Sequence, residues 1–396
     1  MSGVLGISEA LELVLGRVTP LPAENVPLEQ AAGRILAEPV VSTIDLPPFP
    51  SSAMDGFALR ASDTPRRLPV VDRVAAGRPA SRPLRAGEAM AISTGGVVPD
   101  GADAVVPIED VEELDGEVVV SGPVGKGAHV RLRGSDLAAG TTLVEAGSRL
   151  GGVRLGALSA AGVEHVSCGC RPRVSIVVTG SELRAAGKPL EQGEIYEANG
   201  VMLATQAASA GARVDRLPSV EDDPDLTRAS LARGLEADVL ITSGGVSVGA
   251  HDLVRGIEAE LGVEEVFWRV SVRPGRPVAF GVRGSTLVFG LPGNPVSSLV
   301  GFELFVRPAL LALQGATDPA PCFLPGRLAS RVEGGRDRDW LLRARLRIED
   351  AAVVVEPIAG QESHMLARSA TADALALVPR GSEPLEAGAV VKYLAL

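Results

Sequence analysis

The 396-residue sequence contains only three cysteines, Cys168, Cys170 and Cys322. Three cysteines cannot form a disulfide framework, and Cys168-Gly-Cys170 has the spacing of neither a zinc knuckle nor a redox pair. No stretch approaches the roughly 20 consecutive apolar residues of a membrane helix. The N-terminus also lacks the basic start and long apolar core of a signal peptide. These absences predict a cytoplasmic protein with neither disulfides nor a membrane partner.

Clustered positive charge is also absent. The formal net charge is -11, whereas a nucleic-acid-binding surface needs grouped basic residues to neutralise phosphates. A small anionic ligand is still compatible with this net charge, because the charge of a binding site can be opposite to that of the whole chain. The sequence has no Walker lysine, no G-x-G-x-x-G and no H-E-x-x-H, which excludes P-loop nucleotidases, dinucleotide-binding folds and common zinc proteases.

The length allows two to four domains. The N-terminal half predicts a helix over Ser8–Gly16 with Ser8 as its N-cap, and a short helix over Leu28–Leu36. Between Val40 and Leu150, short β-rich runs alternate with proline and glycine, which indicates hairpins. A further helix is predicted near Val153–Ala161.

From Arg173 onward, strands and helices alternate. The apolar runs in VSIVVTGSEL, ADVLITSGG and STLVFGLPGNP are typical of parallel strands buried on both faces. Helices are predicted around 200–210 and 225–235, and a long one follows PGNP. After Pro321 the short strands return and indicate a small β-barrel or sandwich. The predicted fold class is therefore multidomain α/β, with a doubly wound central domain between β-rich regions.

Three of these strands end in turns of small residues, TGSE, TSGGVS and LPGNPVSS. In open α/β sheets a ligand lies beyond the carboxyl ends of the strands, so the three turns predict one binding site. Gly244 and Gly245 allow positive φ and a close approach to the backbone. Asn294 is a predicted N-cap with Pro295 as the first helical residue. Ser297 and Ser298 are expected to point their hydroxyls into the crevice, although each turn alone is also compatible with a plain tight turn.

Charged residues near these turns suit anions and a metal. Arg273 and Arg276 lie in the proline-stiffened loop VRPGRP, which predicts anion binding, with two solvated surface arginines as the alternative. Scattered carboxylates beside phosphates are typical of Mg²⁺ sites. The candidates here are Glu194, Glu197, Asn199 and Asp252.

The ordered set of motifs resembles one known family. SSAMDGFA, STGG, PDGADAVVPIED, VTGSEL, GEIYEANG, ITSGGVSVGAHD, VRPGRPVAFG and LPGNPVSSL occur in this order along the chain. Together they resemble the molybdopterin molybdenumtransferases, the MoeA family, which shares its fold with the C-terminal domain of gephyrin. The resemblance extends over essentially the whole chain.

This resemblance implies roles for individual residues. Pterin and phosphates would be held by Thr179, Gly180, Ser181, Glu182, Asn199, Ser243, Gly244, Gly245, Ser247, Pro292, Gly293, Asn294, Pro295 and Ser297. Molybdate would contact Arg273, Arg276, Ser297, Arg338, Arg343 and Ser363. The implied catalytic residues are Asp55, Thr94, Asp252, Arg273 and Arg276, and the implied Mg²⁺ ligands are Asp55, Glu182 and Asp252.

The resemblance also implies an architecture and a reaction. The linker domain would comprise 1–45 and 137–170, the β-rich lobe 46–136, the molybdopterin-binding domain 171–318 and the C-terminal β-barrel 319–396. The substrates would be adenylylated molybdopterin and molybdate, Mg²⁺ would assist, and AMP would be released. The partners would be a second copy of the chain in a homodimer, with Asp55 and Thr94 reaching across, and transient contacts with other cofactor-biosynthesis proteins and apo-molybdoenzymes.

Two departures and two alternatives accompany the resemblance. The family commonly has lysines where this chain has Arg273 and Arg276, and aspartate where it has Glu197. The alternatives are a molybdopterin adenylyltransferase and a non-catalytic dimeric scaffold like gephyrin. The proline-rich junction Leu46–Pro50 and the lobe look too extended to bury a core alone, which also favours a dimer.

Overall fold

The computed structural model describes residues 4–245 and 253–396. Ser247 and Asp252, both predicted site residues, lie outside the described residues. The helices of the described part are α1 (Ile7–Leu15), α2 (Gly152–Ala160), α3 (Asn199–Ser209), α4 (Pro224–Gly234), α5 (Leu253–Glu260), α6 (Pro295–Gly301), α7 (Arg307–Leu313) and α8 (Leu366–Ser369). A π-helical segment, Phe302–Val306, joins α6 to α7.

The helical run from α6 to α7 is long and apolar enough to cross a membrane by length and composition, with a mean hydropathy of 1.6. However, 83% of its most apolar window is buried inside the molecule. Val300, Phe302 and Phe305 pack in the largest core cluster. The run is therefore a core helix, which explains its hydrophobicity.

The strands of the N-terminal region are β1 (Ala23–Pro27), β2 (Val40–Val41), β3 (Ser51–Ser52), β4 (Gly56–Leu59), β5 (Arg66–Val74), β6 (Ala89–Ile92), β7 (Ala104–Pro107), β8 (Glu112–Leu114), β9 (Glu117–Val120), β10 (Val130–Arg131), β11 (Thr142–Val144) and β12 (His165–Gly169). The antiparallel pairs β1–β12, β2–β11 and β3–β10 join the start of this region to its end. Between them, a sheet of order β7-β4-β6-β5-β9-β8 forms a lobe.

The lobe buries apolar residues on its own. Phe57, Leu59 and Leu68 belong to one cluster of buried side chains, and Met90 and Ile92 to a second. The expectation that the lobe is too extended to bury a core was therefore wrong. Alternation along its strands sends side chains to both faces of the sheet, so that each face has a core.

Two local predictions in the N-terminal region were also wrong. The first helix begins at Ile7, and its N-cap is Gly6 instead of Ser8. The Glu9 carboxylate accepts a hydrogen bond from the Gly6 N–H at 2.7 Å, which supplies the capping that Ser8 was expected to give. Within Leu28–Leu36 a single 3₁₀ turn forms over Leu28–Gln30, because Gly33 has a φ of +75° and Leu36 forms a β-bridge.

The strands of the central region are β13 (Arg173–Val178), β14 (Leu183–Arg184), β15 (Ile195–Tyr196), β16 (Arg213–Arg216), β17 (Val239–Ser243), β18 (Glu264–Trp268), β19 (Val272–Arg273), β20 (Ala279–Arg283) and β21 (Thr286–Leu291). Six of them form a sheet of order β16-β13-β17-β21-β20-β18. The first four are parallel, whereas β20 and β18 add an antiparallel edge.

Apolar side chains cover both faces of this sheet. Val174 and Ile176 pack on the face covered by α3 and the long helical run, and Val177 and Leu240 pack on the opposite face against α4 and α5. This double burial explains the continuous apolar runs and confirms the doubly wound α/β prediction. The chain passes from β13 to β16 on one side and then from β16 to β17 on the other side of β13, so a crevice opens between β13 and β17.

The C-terminal strands are β22 (Phe323–Leu328), β23 (Asp339–Glu349), β24 (Ala352–Pro357), β25 (Ala374–Val378) and β26 (Val390–Ala395). They pair in the order β23-β24-β22-β26-β25, and β25 pairs back with β23, which closes a five-stranded barrel as predicted. The barrel is attached to the central region by β19, which pairs in parallel with β23.

A candidate active site at the strand ends

A cleft of about 1110 Å³ opens at the carboxyl ends of β13, β17 and β21. The structure brings most of the predicted substrate-binding residues together on its walls: Thr179, Gly180, Glu182, Asn199, Ser243, Gly244, Gly245, Pro292, Gly293, Asn294 and Pro295. Three turns that are far apart in the sequence therefore form one surface, as their positions at strand ends predicted.

The turns approach one another so closely that glycine is required. Gly244 has a φ of +100°, and a Cβ there would lie 2.5 Å from the Thr179 carbonyl oxygen. Gly245 has a φ of +67°, and a Cβ there would lie 2.3 Å from Val254. The Thr179 N–H donates to the Ser243 carbonyl at 3.0 Å. The backbone of this wall is thus fixed by both sterics and hydrogen bonds.

Asn199 connects the turns from the first residue of α3. Its side-chain amide nitrogen donates to the Ser243 hydroxyl at 2.9 Å and to the Gly293 carbonyl at 2.8 Å. Asn199 is itself buried. A buried amide with two such partners holds the SGG and PGNP turns together. The role that the structure shows for Asn199 is therefore to connect these turns.

The two serines of α6 differ from expectation. Ser298 is fully buried and its hydroxyl donates to the Pro292 carbonyl. Ser297 is 4% exposed and is not among the residues lining the cleft. The expectation that both hydroxyls point into the crevice was therefore wrong for Ser298, whose hydroxyl lies between Ser243 and Pro292, and Ser297 does not contribute to the wall of the cleft. Asn294 occupies the N-cap position as predicted, with Pro295 as the first helical residue, but its side chain makes no capping hydrogen bond in the described structure.

The arginine loop adjoins the cleft and is attached to the barrel. Pro277 lines the cleft, and a Cβ on Gly275 would lie 3.3 Å from the Ser297 carbonyl. Arg273 is exposed and its guanidinium lies 4.4 Å from the centre of the Trp340 ring. Residues 273 and 340 are neighbours because β19 pairs with β23. The cation–π contact fixes the arginine at the boundary between sheet and barrel.

Arg276 and Arg338 share a carboxylate neighbour. Arg338 donates to Asp337 at 3.0 Å. That hydrogen bond, supported by the charges of Arg338 and Arg276, holds the pKa of Asp337 below its usual value. Arg276 and Arg338 thus act on the same carboxylate from two regions of the chain, and β19 holds Arg273 at the neighbouring junction with β23, although none of the three is among the residues that line the cleft.

Arg343 differs from the other predicted molybdate contacts because it is completely buried. Its guanidinium donates to the carbonyls of Met365, Gly360 and Glu362 and to the Ser369 hydroxyl. Burial lowers the pKa of this guanidinium. The predicted direct oxyanion contact is therefore corrected, since these nitrogens hold the barrel loop 358–369 in place.

The loop held by Arg343 reaches the cleft. The Ser363 carbonyl accepts a hydrogen bond from the Val296 N–H at 3.0 Å, at the first turn of α6. His364, the next residue, lines the cleft. The predicted residue Ser363 thus lies beside the PGNP turn, and the barrel contributes to the wall of the site.

Asp55 and Thr94 come together but away from the cleft. The Thr94 N–H donates to Asp55 Oδ1 at 2.7 Å, and its hydroxyl lies 3.2 Å from the same oxygen. Both residues are exposed on the lobe, and neither is among the residues lining the cleft of its own chain. The structure of one chain therefore does not bring this pair into the wall of the cleft.

The predicted magnesium ligands do not form a complete site within the described residues. Glu182 lines the cleft, Asp55 is on the lobe, and Asp252 lies outside the described residues. Within 4–245 and 253–396, no group of three or more His, Cys, Asp or Glu side chains could hold a metal ion. Asp55 and Glu182 therefore do not form a Mg²⁺ site by themselves, and a site that includes Asp252 stays a prediction.

Among the cleft residues that were not predicted from the sequence, four have polar or aromatic side chains: Tyr196, Asp222, Thr227 and His364. Two of them could have been predicted, because Asp223-Pro224 is a typical helix start. A helix that begins there places Asp222 and Thr227 at the mouth of the cleft. The Asp222 N–H donates to the Ser181 hydroxyl at 3.1 Å, which joins this helix start to the TGSE turn. Ser181 itself does not line the cleft.

Comparison with known proteins agrees with this geometry. Residues 5–162 match the MoeA N-terminal region (domains I and II), 175–312 match a probable molybdopterin binding domain, and 325–396 match the MoeA C-terminal region (domain IV). A molybdopterin molybdenumtransferase 2 of Mycobacterium tuberculosis is 37% identical, with 92% of this chain and 93% of the relative covered. The chain belongs to the MoeA family.

Further relatives share the length and the fold. A molybdopterin molybdenumtransferase of Staphylococcus aureus is 31% identical over 98% of this chain and 94% of its own length. A crystal structure of a molybdopterin biosynthesis MoeA protein from Pyrococcus horikoshii is 34% identical, with a TM-score of 0.81 and 99% of each chain covered. A second structure from that organism has a TM-score of 0.85 at 28% identity. The MoeA architecture is thus present from the lobe to the barrel.

Proposed function

We propose that this protein inserts molybdenum from molybdate into molybdopterin during molybdenum cofactor biosynthesis. The observation that supports this most is the cleft itself. Its walls carry three glycine- and serine-rich turns, which suit a large polar ligand, and the loop that carries Arg273 and Arg276 reaches its edge at Pro277. Relatives that bear the name molybdopterin molybdenumtransferase match over almost the whole chain.

The finer proposal concerns the substrates and the residues that would hold each of them. Molybdate is a tetrahedral dianion, which suits guanidinium groups and the N–H groups at the start of α6. The phosphates of an adenylylated molybdopterin suit the SGG and PGNP turns. Opening the phosphoanhydride and releasing AMP requires charge neutralisation more than a nucleophilic side chain. Arg273 and Arg276 would supply that charge beside the molybdate.

Three further predictions belong to this proposal. Mg²⁺ would assist the release of AMP, with Asp252 as one ligand, so Asp252→Asn is expected to leave the fold intact and to reduce Mg²⁺-dependent AMP release.

The chain would act as a cytoplasmic homodimer. It would also make transient contacts with the proteins that supply molybdopterin and receive the finished cofactor.

Anaerobic incubation of the purified protein with adenylylated molybdopterin, molybdate and Mg²⁺ tests the proposal. We expect AMP release that depends on molybdate and follows the amount of enzyme. Formation of adenylylated molybdopterin from ATP without any use of molybdate would identify an adenylyltransferase instead. Absence of both reactions from a folded protein that binds a peptide partner would favour the scaffold alternative.

A further inference from the structure

One wall of the cleft exposes large apolar and aromatic side chains. Leu183, Ile195 and Tyr196 line the cleft from the short ribbon β14–β15. Ile195 is 54% exposed and Tyr196 is 47% exposed. Large apolar side chains that remain exposed together inside a cleft indicate a ligand contact, unlike those scattered singly over a surface.

Tyr196 is one of two tyrosines in the sequence. The other, Tyr393, is buried in the core of the barrel. The Tyr196 hydroxyl donates to the Lys188 carbonyl at 2.9 Å. This bond anchors the end of the ring, while nearly half of the side-chain surface stays accessible from the cleft.

The ribbon that carries this ring is fixed at both ends. The Ile195 N–H donates to the Glu182 carbonyl at 2.9 Å, and the Glu197 carboxylate accepts from the Gly200 N–H at 2.6 Å. Arg184 forms an ion pair with the largely buried Glu194 at 2.6 Å. The wall is therefore held against the TGSE turn and the start of α3, so a ligand would not have to order it.

Two polar side chains of the same cleft can accept hydrogen bonds from a ligand. Asp222 lines the cleft near the TGSE turn. Thr227 also lines it, and its hydroxyl is buried with no hydrogen-bond partner among the described residues. A neutral ring with N–H groups fits a site that offers a carboxylate, a hydroxyl and an aromatic face. An anion instead fits the loop that carries Arg273 and Arg276.

We propose that Tyr196, with Leu183 and Ile195, forms a subsite that stacks against a flat nitrogen heterocycle of the substrate. This inference rests on the proposed function, under which the substrate carries two such rings, the pterin and the adenine. Both have a π-face for the tyrosine and N–H groups for Asp222 and Thr227. The orientation that follows has the heterocycle at the ribbon and the negatively charged end toward Arg273 and Arg276.

Calorimetric binding of two probes, AMP and 6-hydroxymethylpterin, tests the subsite in the absence of molybdate and turnover. We expect Tyr196→Ala to weaken the binding of at least one probe by about tenfold, the usual effect of losing one stacked ring. Tyr196→Phe retains the ring and should bind nearly as well as the wild type. Leu190→Ala is the matched control, because Leu190 is an exposed apolar residue of the same segment that does not line the cleft.

The outcome for each probe assigns the ring. Weaker binding of AMP alone assigns the wall to adenine, weaker binding of the pterin alone assigns it to pterin, and loss of both at an unchanged melting temperature means that both rings use it. Unchanged binding of both probes by Tyr196→Ala, or no binding by the wild type, would overturn the subsite. Equal losses in the phenylalanine and alanine variants would overturn stacking in favour of the hydroxyl anchor. Because no turnover is measured, the binding result can be interpreted even if the proposed reaction does not occur.

Discussion

Asn199 is the residue on which the geometry of the cleft depends most directly. Its buried amide nitrogen makes two hydrogen bonds that join the SGG and PGNP turns. Asn199→Ala should lower the free energy of unfolding by about 1–3 kcal/mol, because the Ser243 hydroxyl and Gly293 carbonyl lose a buried donor. Denaturant unfolding measures this, with the exposed Asn25→Ala as control. Equal midpoints for the two variants would contradict the connecting role.

The arginine pair is where this chain departs from the usual residues of its family. Replacing both Arg273 and Arg276 with alanine should raise the molybdate requirement far more than the requirement for the nucleotide-linked pterin. A hydrogen bond to a charged group contributes about 1.5–3 kcal/mol, so each arginine should account for roughly a tenfold or greater rise.

The matched variant replaces both arginines with lysine. It keeps the charge, loses the planar fork and should stay active, with at most a moderate change in molybdate affinity. Steady-state kinetics with molybdate and the pterin varied separately distinguish the two requirements. An alanine pair that weakened pterin binding and left the molybdate requirement unchanged would make these arginines phosphate contacts instead.

At the scale of elements, the strand-end turns could be predicted because their signals are local. A buried strand followed by small residues and glycine needs no distant partner to be recognised, and parallel strands bring such turns to one edge. The burial of Arg343 could not be predicted, since arginine is rarely buried completely and its partners are carbonyls and a hydroxyl of a loop 17–26 residues later. The inward turn of Ser298 likewise depends on how α6 packs against β21.

The loop 358–369 gives an element-scale prediction. Arg343→Met keeps most of the side-chain volume but leaves several loop carbonyls without a donor, so the free energy of unfolding should fall by at least about 2 kcal/mol. The KM for the nucleotide-linked pterin should also rise, because Ser363 and His364 lose their position at the cleft. Arg345→Met, at an exposed position of the same strand, is the control. A variant as stable and as active as that control would refute the loop-holding role.

At the scale of the whole molecule, the lobe is an independent body with its own core, joined to the rest by the antiparallel pairs at its base. It carries Asp55 and Thr94 on its surface, whereas the arginines lie at the junction of sheet and barrel. The family resemblance implied both groups of residues and also implied that Asp55 and Thr94 reach across from a second chain. No local pattern in the sequence predicts such a separation, because it depends on the arrangement of whole domains.

If the homodimer is correct, each complete site takes the lobe of one subunit and the cleft of the other. Asp55→Asn and the Arg273→Ala/Arg276→Ala double variant should each be nearly inactive alone. After mixing under conditions that allow subunit exchange, half of the dimers carry one lesion on each chain, and one of their two sites then contains neither lesion. Activity should therefore recover to about a quarter of the wild-type value at equal total protein, as the two-fold symmetry of such a dimer requires. Mixing Asp55→Asn with Thr94→Ala is the control, because every site would then contain a damaged lobe. No recovery in the first mixture, despite exchange shown by light scattering and labelled subunits, would contradict the placement of Asp55 in the site of the other subunit.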